Sequence, residues 1–198
     1  MNLSSIKPLI GSRNSMSYLE PIGTLGKMKA MLFKSQRISI KEQYYKYGVR
    51  VFDFRLFFND SGRCYFKHGT VWHESFSLFN HLSFLDRQGD CMVRVILEET
   101  DNDSQKPNIE YIEERFKTIC RIIETIYVQI KFFGGKRLYD GITLYNFKNN
   151  GPIIEEAKSN SMIVNMIPLW KAKKVNKRFI DKETSADCVM MDFVDITE

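Results

Sequence analysis

The chain has 198 residues, 43% of them hydrophobic and 27% charged, with a formal net charge of +5. That length buries a full core as one domain, residues 1–198, and the composition is ordinary for a soluble globular protein. A charge of this size permits anionic partners such as lipid, phosphate or nucleic acid, and requires none of them.

Ser39-Ile40-Lys41-Glu42 is a capping box, so a helix is predicted from Ile40 to Tyr47, with Gly48 as its left-handed C-cap. Val49 to Phe58 reads as a strand interrupted by Asp53 and Arg55. Asn59 to Gly62 is a turn, and Arg63 to Lys67 leads as a second strand to His68. Ser75 to Gln88 reads as a helix closed by Gly89, with Phe76, Phe79, Leu82 and Leu85 on one side. Met92 to Leu97 is a buried strand ending at Glu98. Asn108 caps the longest helix, whose apolar positions run from Ile109 to Ile130 and which Gly134-Gly135 closes. Gly141 to Phe147 and Ser161 to Ile167 read as strands, with a short helix from Pro152 to Lys158 between them. Leu169 to Phe179 suits a helix. Its basic run, Lys171 to Arg178, is a solvated face or an anion-facing patch. Cys188 to Val194 closes the chain as a buried strand.

Strands alternating with helices imply crossover connections and a mainly parallel sheet. The expected architecture is α/β: a TIM-barrel-like (β/α)8 fold, compact or irregular, since such barrels normally take ~250 residues. Chemistry in such a barrel collects at the C-terminal ends of strands. Asp53, Arg55, His68, Glu98 and Asp192 all fall near predicted strand ends. Cys64, Cys91, Cys120 and Cys188 are widely spaced with no Cys-x-x-Cys pair, which argues against zinc and for buried thiols in a reducing compartment. Residues 1–11 show no signal peptide, and no run approaches the ~18 apolar residues of a membrane span.

Five short segments carry more. They are Gly11-Ser12-Arg13-Asn14-Ser15-Met16-Ser17-Tyr18, Gly48-Val49-Arg50-Val51-Phe52-Asp53-Phe54-Arg55, His68-Gly69, Ile96-Leu97-Glu98-Glu99 and Met190-Met191-Asp192-Phe193-Val194. In this order they resemble the catalytic X domain of phosphatidylinositol-specific phospholipase C and its relatives. The resemblance runs from about Ile10 to Val194, is strongest from Ser35 to Glu99, and carries over no head-group residue between Cys120 and Ala186. It implies cleavage of an inositol-lipid phosphodiester by the substrate's own 2-hydroxyl, with a histidine base, a histidine acid and a cation on the phosphoryl oxygens. Arg55 would be that cation, His68 would be the acid, and Asp53 would orient Arg55 or His68. Asp192 would orient the base, and Asn14 and Glu98 would face the substrate. No cofactor is implied, and Arg55 argues against calcium, which eukaryotic members hold at the positions of Asn14 and Glu98. The implied partners are a phosphodiester or inositol-lipid head group and a transient membrane surface, with no nucleic acid.

The pattern breaks at Arg13, where the family carries its base histidine. Arginine stays protonated, with a pKa above ~12, and cannot serve as that base. Arg13 can instead pair with Asp192 or bind phosphate, and His73 and Glu98 are candidate substitute bases. An isolated Asp-x-Arg on a strand is ordinarily a structural ion pair, and an isolated His-Gly says little. Three readings follow: a phosphodiesterase impaired at Arg13, a silent barrel that binds a phosphate-bearing ligand or a protein, and a structural component of an assembly.

Overall fold

In the computed structural model the described residues are 8–24, 27, 36–59, 61–68, 71–74, 77–98, 109–138, 141–144, 147, 152, 154–156, 176, 186–192 and 194–196. They form β1 (Leu9–Ser12), α1 (Ile40–Tyr47), β2 (Val49–Phe58), β3 (Cys64–His68), β4 (Val71–Glu74), α2 (Leu78–Gln88), β5 (Met92–Leu97), α3 (Ile109–Ile126), β6 (Lys131–Leu138), β7 (Gly141–Leu144), β8 (Ile154–Glu156) and β9 (Cys188–Met191), in that order. A 3-10 turn follows at Val194–Ile196.

The strands make one mixed sheet in the order β7-β6-β5-β2-β1-β9-β8, with β3 beside β2 and β4 beside β3. From β6 to β8 along that order every pairing is parallel, while β7, β3 and β4 join antiparallel. The antiparallel strands follow short connections. Residues 59–63 between β2 and β3 are too few for a crossover helix, so the chain must turn back. The architecture is therefore mixed α/β, and the described residues do not show the expected (β/α)8 barrel. Only three α-helices accompany the strands among them, and no described pairing closes β8 onto β7.

Local signals set α1. Ser39 Oγ accepts from the Glu42 amide at 3.3 Å, Glu42 Oε2 accepts from the Ser39 amide at 3.0 Å, and Gly48 takes φ 67° at the C-cap. Helix α2 starts at Leu78, three residues later than expected, with Ser77 as its N-cap, and Val71–Glu74 before it pairs with β3 as a strand. Its buried row is Leu78, Leu82 and Leu85, and Phe79, expected on that side, is exposed. On α3 the buried row is Phe116, Cys120 and Ile123, spaced as one helical stripe, and the helix ends at Ile126.

Two expectations are corrected by the sheet. Gly134-Gly135 does not close a helix but lies inside β6, paired with Val95 and Ile96. Gly134 has φ 124°, and a Cβ there would sit 2.2 Å from the Val95 carbonyl oxygen. Close strand approach, not helix termination, explains this glycine. Gly134→Ala should destabilise by more than about 2 kcal/mol, measured as a fall in the urea midpoint, because both the backbone angle and the space forbid the methyl. Ile154–Glu156 is a strand rather than part of a helix, since its parallel ladder with β9 overrides local propensity. The predicted strand at Ser161–Ile167 and the basic run at Lys171–Arg178, apart from Asn176, lie outside the described residues.

Strand alternation gives the sheet two unlike sides. On the helix-covered side lie Phe52, Phe54, Leu56 and Phe58 of β2, Val93, Val95 and Leu97 of β5, Phe132, Val189 and Met191. The other side begins with a small apolar cluster of Val51, Phe133, Cys188 and Met190, with Met92 and Ile154 packed on it. Continuing along the same strands, that side turns from apolar to charged.

Candidate functional site

The charged level is fixed by register. Ser12, the last residue of β1, lies opposite Phe52 of β2 and Met191 of β9. The next residues, Arg13, Asp53 and Asp192, therefore share one level, and Arg94 of β5 stands opposite Asp53. Asp53 is mid-strand in β2 but sits at the level where the neighbouring β1, and β9 beyond it, end. Beyond Phe52, the β1 side of β2 is taken over by the turn that follows β1. The Ser15 amide donates to the Asp53 carbonyl at 2.9 Å, and the Asp53 amide donates to Ser15 Oγ at 2.8 Å.

Two buried glutamines hold this turn. Gln36 Nε2 donates to the carbonyls of Arg13 and Met191, at 3.1 and 2.9 Å, and so joins the ends of β1 and β9. Gln43 Nε2 donates to the Ser15 and Ile38 carbonyls, and its Oε1 lies 2.6 Å from Ser12 Oγ. Asn14 is in the left-handed region, φ 48°, which asparagine tolerates better than most residues. Sequence reading gave neither glutamine a role in the site, although both lie in the stretch from Ser35 to Glu99 where the resemblance is strongest.

Three arginines and three carboxylates occupy the site. Arg13 Nε donates to Asp192 Oδ1 at 3.0 Å and Nη2 donates to Oδ2 at 2.6 Å, a two-bond pair with Arg13 4% and Asp192 1% exposed. Asp53 is fully buried and accepts from three donors: Arg55 Nε at 2.9 Å and the Asn14 amide at 3.0 Å on Oδ2, and Arg94 Nε at 2.9 Å on Oδ1. Burial alone would raise the Asp53 carboxyl. The Arg94 and Arg55 guanidiniums and the Asn14 amide outweigh it and hold the group well below the usual carboxylate range. Arg55 Nη1 lies 3.8 Å from Glu98 Oε1.

The structure thus joins Arg13 to Asp192, and Asn14, Asp53, Arg55 and Glu98 through a second set of contacts. His68 is buried at the end of β3, opposite Val71. Its neighbour Lys67, 1% exposed, lies on the Phe57 side of that ladder, its Nζ 4.0 Å from the centre of the Phe57 ring. Strand alternation places His68 on the other side of β3, with Phe66. His73, a candidate substitute base in the sequence, is buried on β4. Trp72 is partly exposed beside Phe57 and Tyr65, with ring centres 4.8 and 5.6 Å away. Arg94 and Lys67 were not singled out in the sequence. Alternation was the available signal for Arg94, since Met92, Arg94, Ile96 and Glu98 fall on one side of an extended run.

Asn14 and Glu98, the positions suited to calcium by resemblance, do not fit a cation, because Glu98 faces the Arg55 guanidinium. Among the described residues no three His, Cys, Asp or Glu side chains gather as a metal set. No described helix is long and apolar enough to cross a membrane. Burial pushes the Cys91 and Cys188 thiols up to about 12, which leaves them protonated and inert near neutral pH.

No protein-family model matches the chain, and no curated protein matches it. Solved structures do. Phosphatidylinositol-specific phospholipase C from Staphylococcus aureus, in a structure concerned with modulation of its membrane binding, superposes with a TM-score of 0.57 at 13% identity, covering 96% of this chain and 87% of that one. A second structure from the same work gives a TM-score of 0.55 at 15% identity over the same shares. A point mutant of that enzyme gives 0.51 at 16% identity, covering 97% of this chain and 72% of its own. At these identities the likeness is one of fold: the chain has a fold like that of phosphatidylinositol-specific phospholipase C.

Proposed function

We propose that this protein binds phosphate esters on a phospholipase C-like fold and does not cleave them by the route its resemblance implies. The observation that carries this reading is the buried, two-bond pair between Arg13 and Asp192. The side chain at the base position is a permanent cation, and the carboxylate suited to orienting a base is committed to it. The cation suited to phosphate is retained: Asp53 fixes Arg55 through Nε, Glu98 lies 3.8 Å from its Nη1, and an anchored guanidinium is a donor that can meet phosphoryl oxygens. The fitting ligand is a phosphate ester such as an inositol-lipid head group, met from solution or at a transient membrane surface.

A second reading, an active phosphodiesterase, is favoured by the retained Asp53–Arg55 pair. It needs a base other than Arg13.

One experiment separates them. Wild-type protein should bind myo-inositol 1-phosphate, and Arg55→Ala should weaken that binding by about 10–100-fold, the loss expected for charge-assisted hydrogen bonds. Chelation with EDTA should change neither result. The same protein should release no cyclic inositol phosphate from phosphatidylinositol vesicles. Steady turnover by wild type would overturn the binding reading in favour of the enzyme. Unchanged affinity in folded Arg55→Ala would remove Arg55 from the site.

A further inference from the structure

We infer that the Asn14 side chain is held for the ligand and not for the fold: its amide donates to an oxygen of the phosphate that Arg55 meets. The inference rests on the phosphate-binding reading above and deepens it, adding an uncharged donor beside the cation.

Asn14 carries two costs that the fold does not require. It is the one residue other than glycine with positive φ among the described residues, at 48°, a conformation that glycine adopts without strain. Its side chain is also out of reach of water. The residue is 3% exposed, and Nδ2 is buried with no hydrogen-bond partner among the described residues. A buried donor whose bond is unmade keeps its full desolvation cost, and such a group calls for a partner that the chain itself does not supply.

What Asn14 gives the fold comes from its backbone. Its amide donates to Asp53 Oδ2 at 3.0 Å, and its carbonyl accepts from the Ser17 amide at 2.9 Å. Glycine would supply both bonds. The first of them also places the residue. Arg55 Nε donates to the same Asp53 oxygen at 2.9 Å, so Asn14 and the guanidinium are fixed side by side on one carboxylate. A phosphate met by Arg55 has further oxygens to offer, and a neutral amide donor beside the cation is suited to one of them. A left-handed backbone and an unmade buried bond at one binding residue are stability given up for function.

The test is Asn14→Gly, read in two ways. Its urea midpoint should equal or exceed that of wild type, because the strain and the orphan donor both go. Its affinity for myo-inositol 1-phosphate, titrated calorimetrically, should fall about tenfold, the loss of one hydrogen bond to a charged group. A lower midpoint would overturn the inference whatever the affinity, since the side chain would then serve the fold. So would an affinity unchanged in folded Asn14→Gly, which leaves the phosphate site itself intact. Failure of wild type to bind would overturn the inference and the phosphate-binding reading together. Asn14→Asp keeps the shape and exchanges the donor for an anionic acceptor, so it should weaken binding more than Asn14→Gly does. Undiminished binding by folded Asn14→Asp would equally overturn the inference. Sedimentation with phosphatidylcholine vesicles, with and without phosphatidylinositol, then separates a lipid-borne phosphate from a soluble one.

Discussion

Asp53→Asn should destabilise the protein by about 3–5 kcal/mol, the loss typical when one partner of a buried ion pair is removed. The substitution is nearly isosteric, so the loss is electrostatic. Two buried guanidiniums, Arg55 and Arg94, would lose the carboxylate that accepts from both, and the Asn14 amide would face a carboxamide that has only one oxygen to offer. The exposed pair Arg50–Asp90 provides the contrast: its 2.7 Å contact is as short, yet Asp90→Asn should cost no more than about 1 kcal/mol because water screens it. The pH dependence has a definite sign. Asp53 is held below the ordinary carboxylate range, so its contribution is complete above the unfolded value of ~4. It fades as pH falls from there toward the depressed folded value. Wild-type stability should therefore drop between about pH 4 and pH 2, and Asp53→Asn should show a flatter profile over that interval. Urea midpoints at pH 7 and at steps below pH 4 measure both effects. A loss under about 1 kcal/mol at pH 7 would mean that other groups neutralise the two arginines.

The parts of this fold that were legible in the sequence are those whose cause is local. The capping box at Ser39–Glu42 and the glycine at position 48 bound α1 without reference to anything distant, and the bounds of β2 and β5 follow from dense apolar runs. The misread parts are those whose cause lies on another strand. Gly134 is a glycine because the Val95 backbone approaches it, and Ile154–Glu156 is extended because Cys188–Met190 lies beside it. Neither partner is near in sequence. The site divides the same way. Asp53, Arg55, Glu98 and Asp192 were legible as charges interrupting or ending apolar strands. That Arg13 pairs with Asp192, rather than facing phosphate, depends on β1 and β9 being neighbours in register across 179 residues. Arg94 needed both alternation along β5 and its register against β2 to be seen as the second cation on Asp53.

That register also makes the missing base a question experiment can answer. Arg13→His should raise release of cyclic inositol phosphate from phosphatidylinositol by about 10²–10⁴-fold over wild type, the range a positioned general base supplies. The backbone at position 13 is held independently of its side chain: the Arg13 amide donates to the Met191 carbonyl, and the Arg13 carbonyl accepts from Gln36 Nε2. An imidazole there would inherit Asp192 as a side-chain neighbour, and a carboxylate bonded to one ring nitrogen fixes the tautomer and raises the basicity of the other. Arg55 would remain on Asp53, because neither atom set involved in that contact includes Arg13 or Asp192. Arg13→Gln supplies the control, since it removes the cation and the buried pair without supplying a base, and it should stay at the wild-type level. Adding Arg55→Ala to Arg13→His should abolish the gain if the chemistry runs through the anion grip. If wild type is already fast and Arg13→His is slower, Arg13 belongs to a different mechanism and the binding reading falls. If folded Arg13→His stays at background while myo-inositol 1-phosphate still binds, the site lacks more than a base, and His68 on its adjoining hairpin becomes the next group to test.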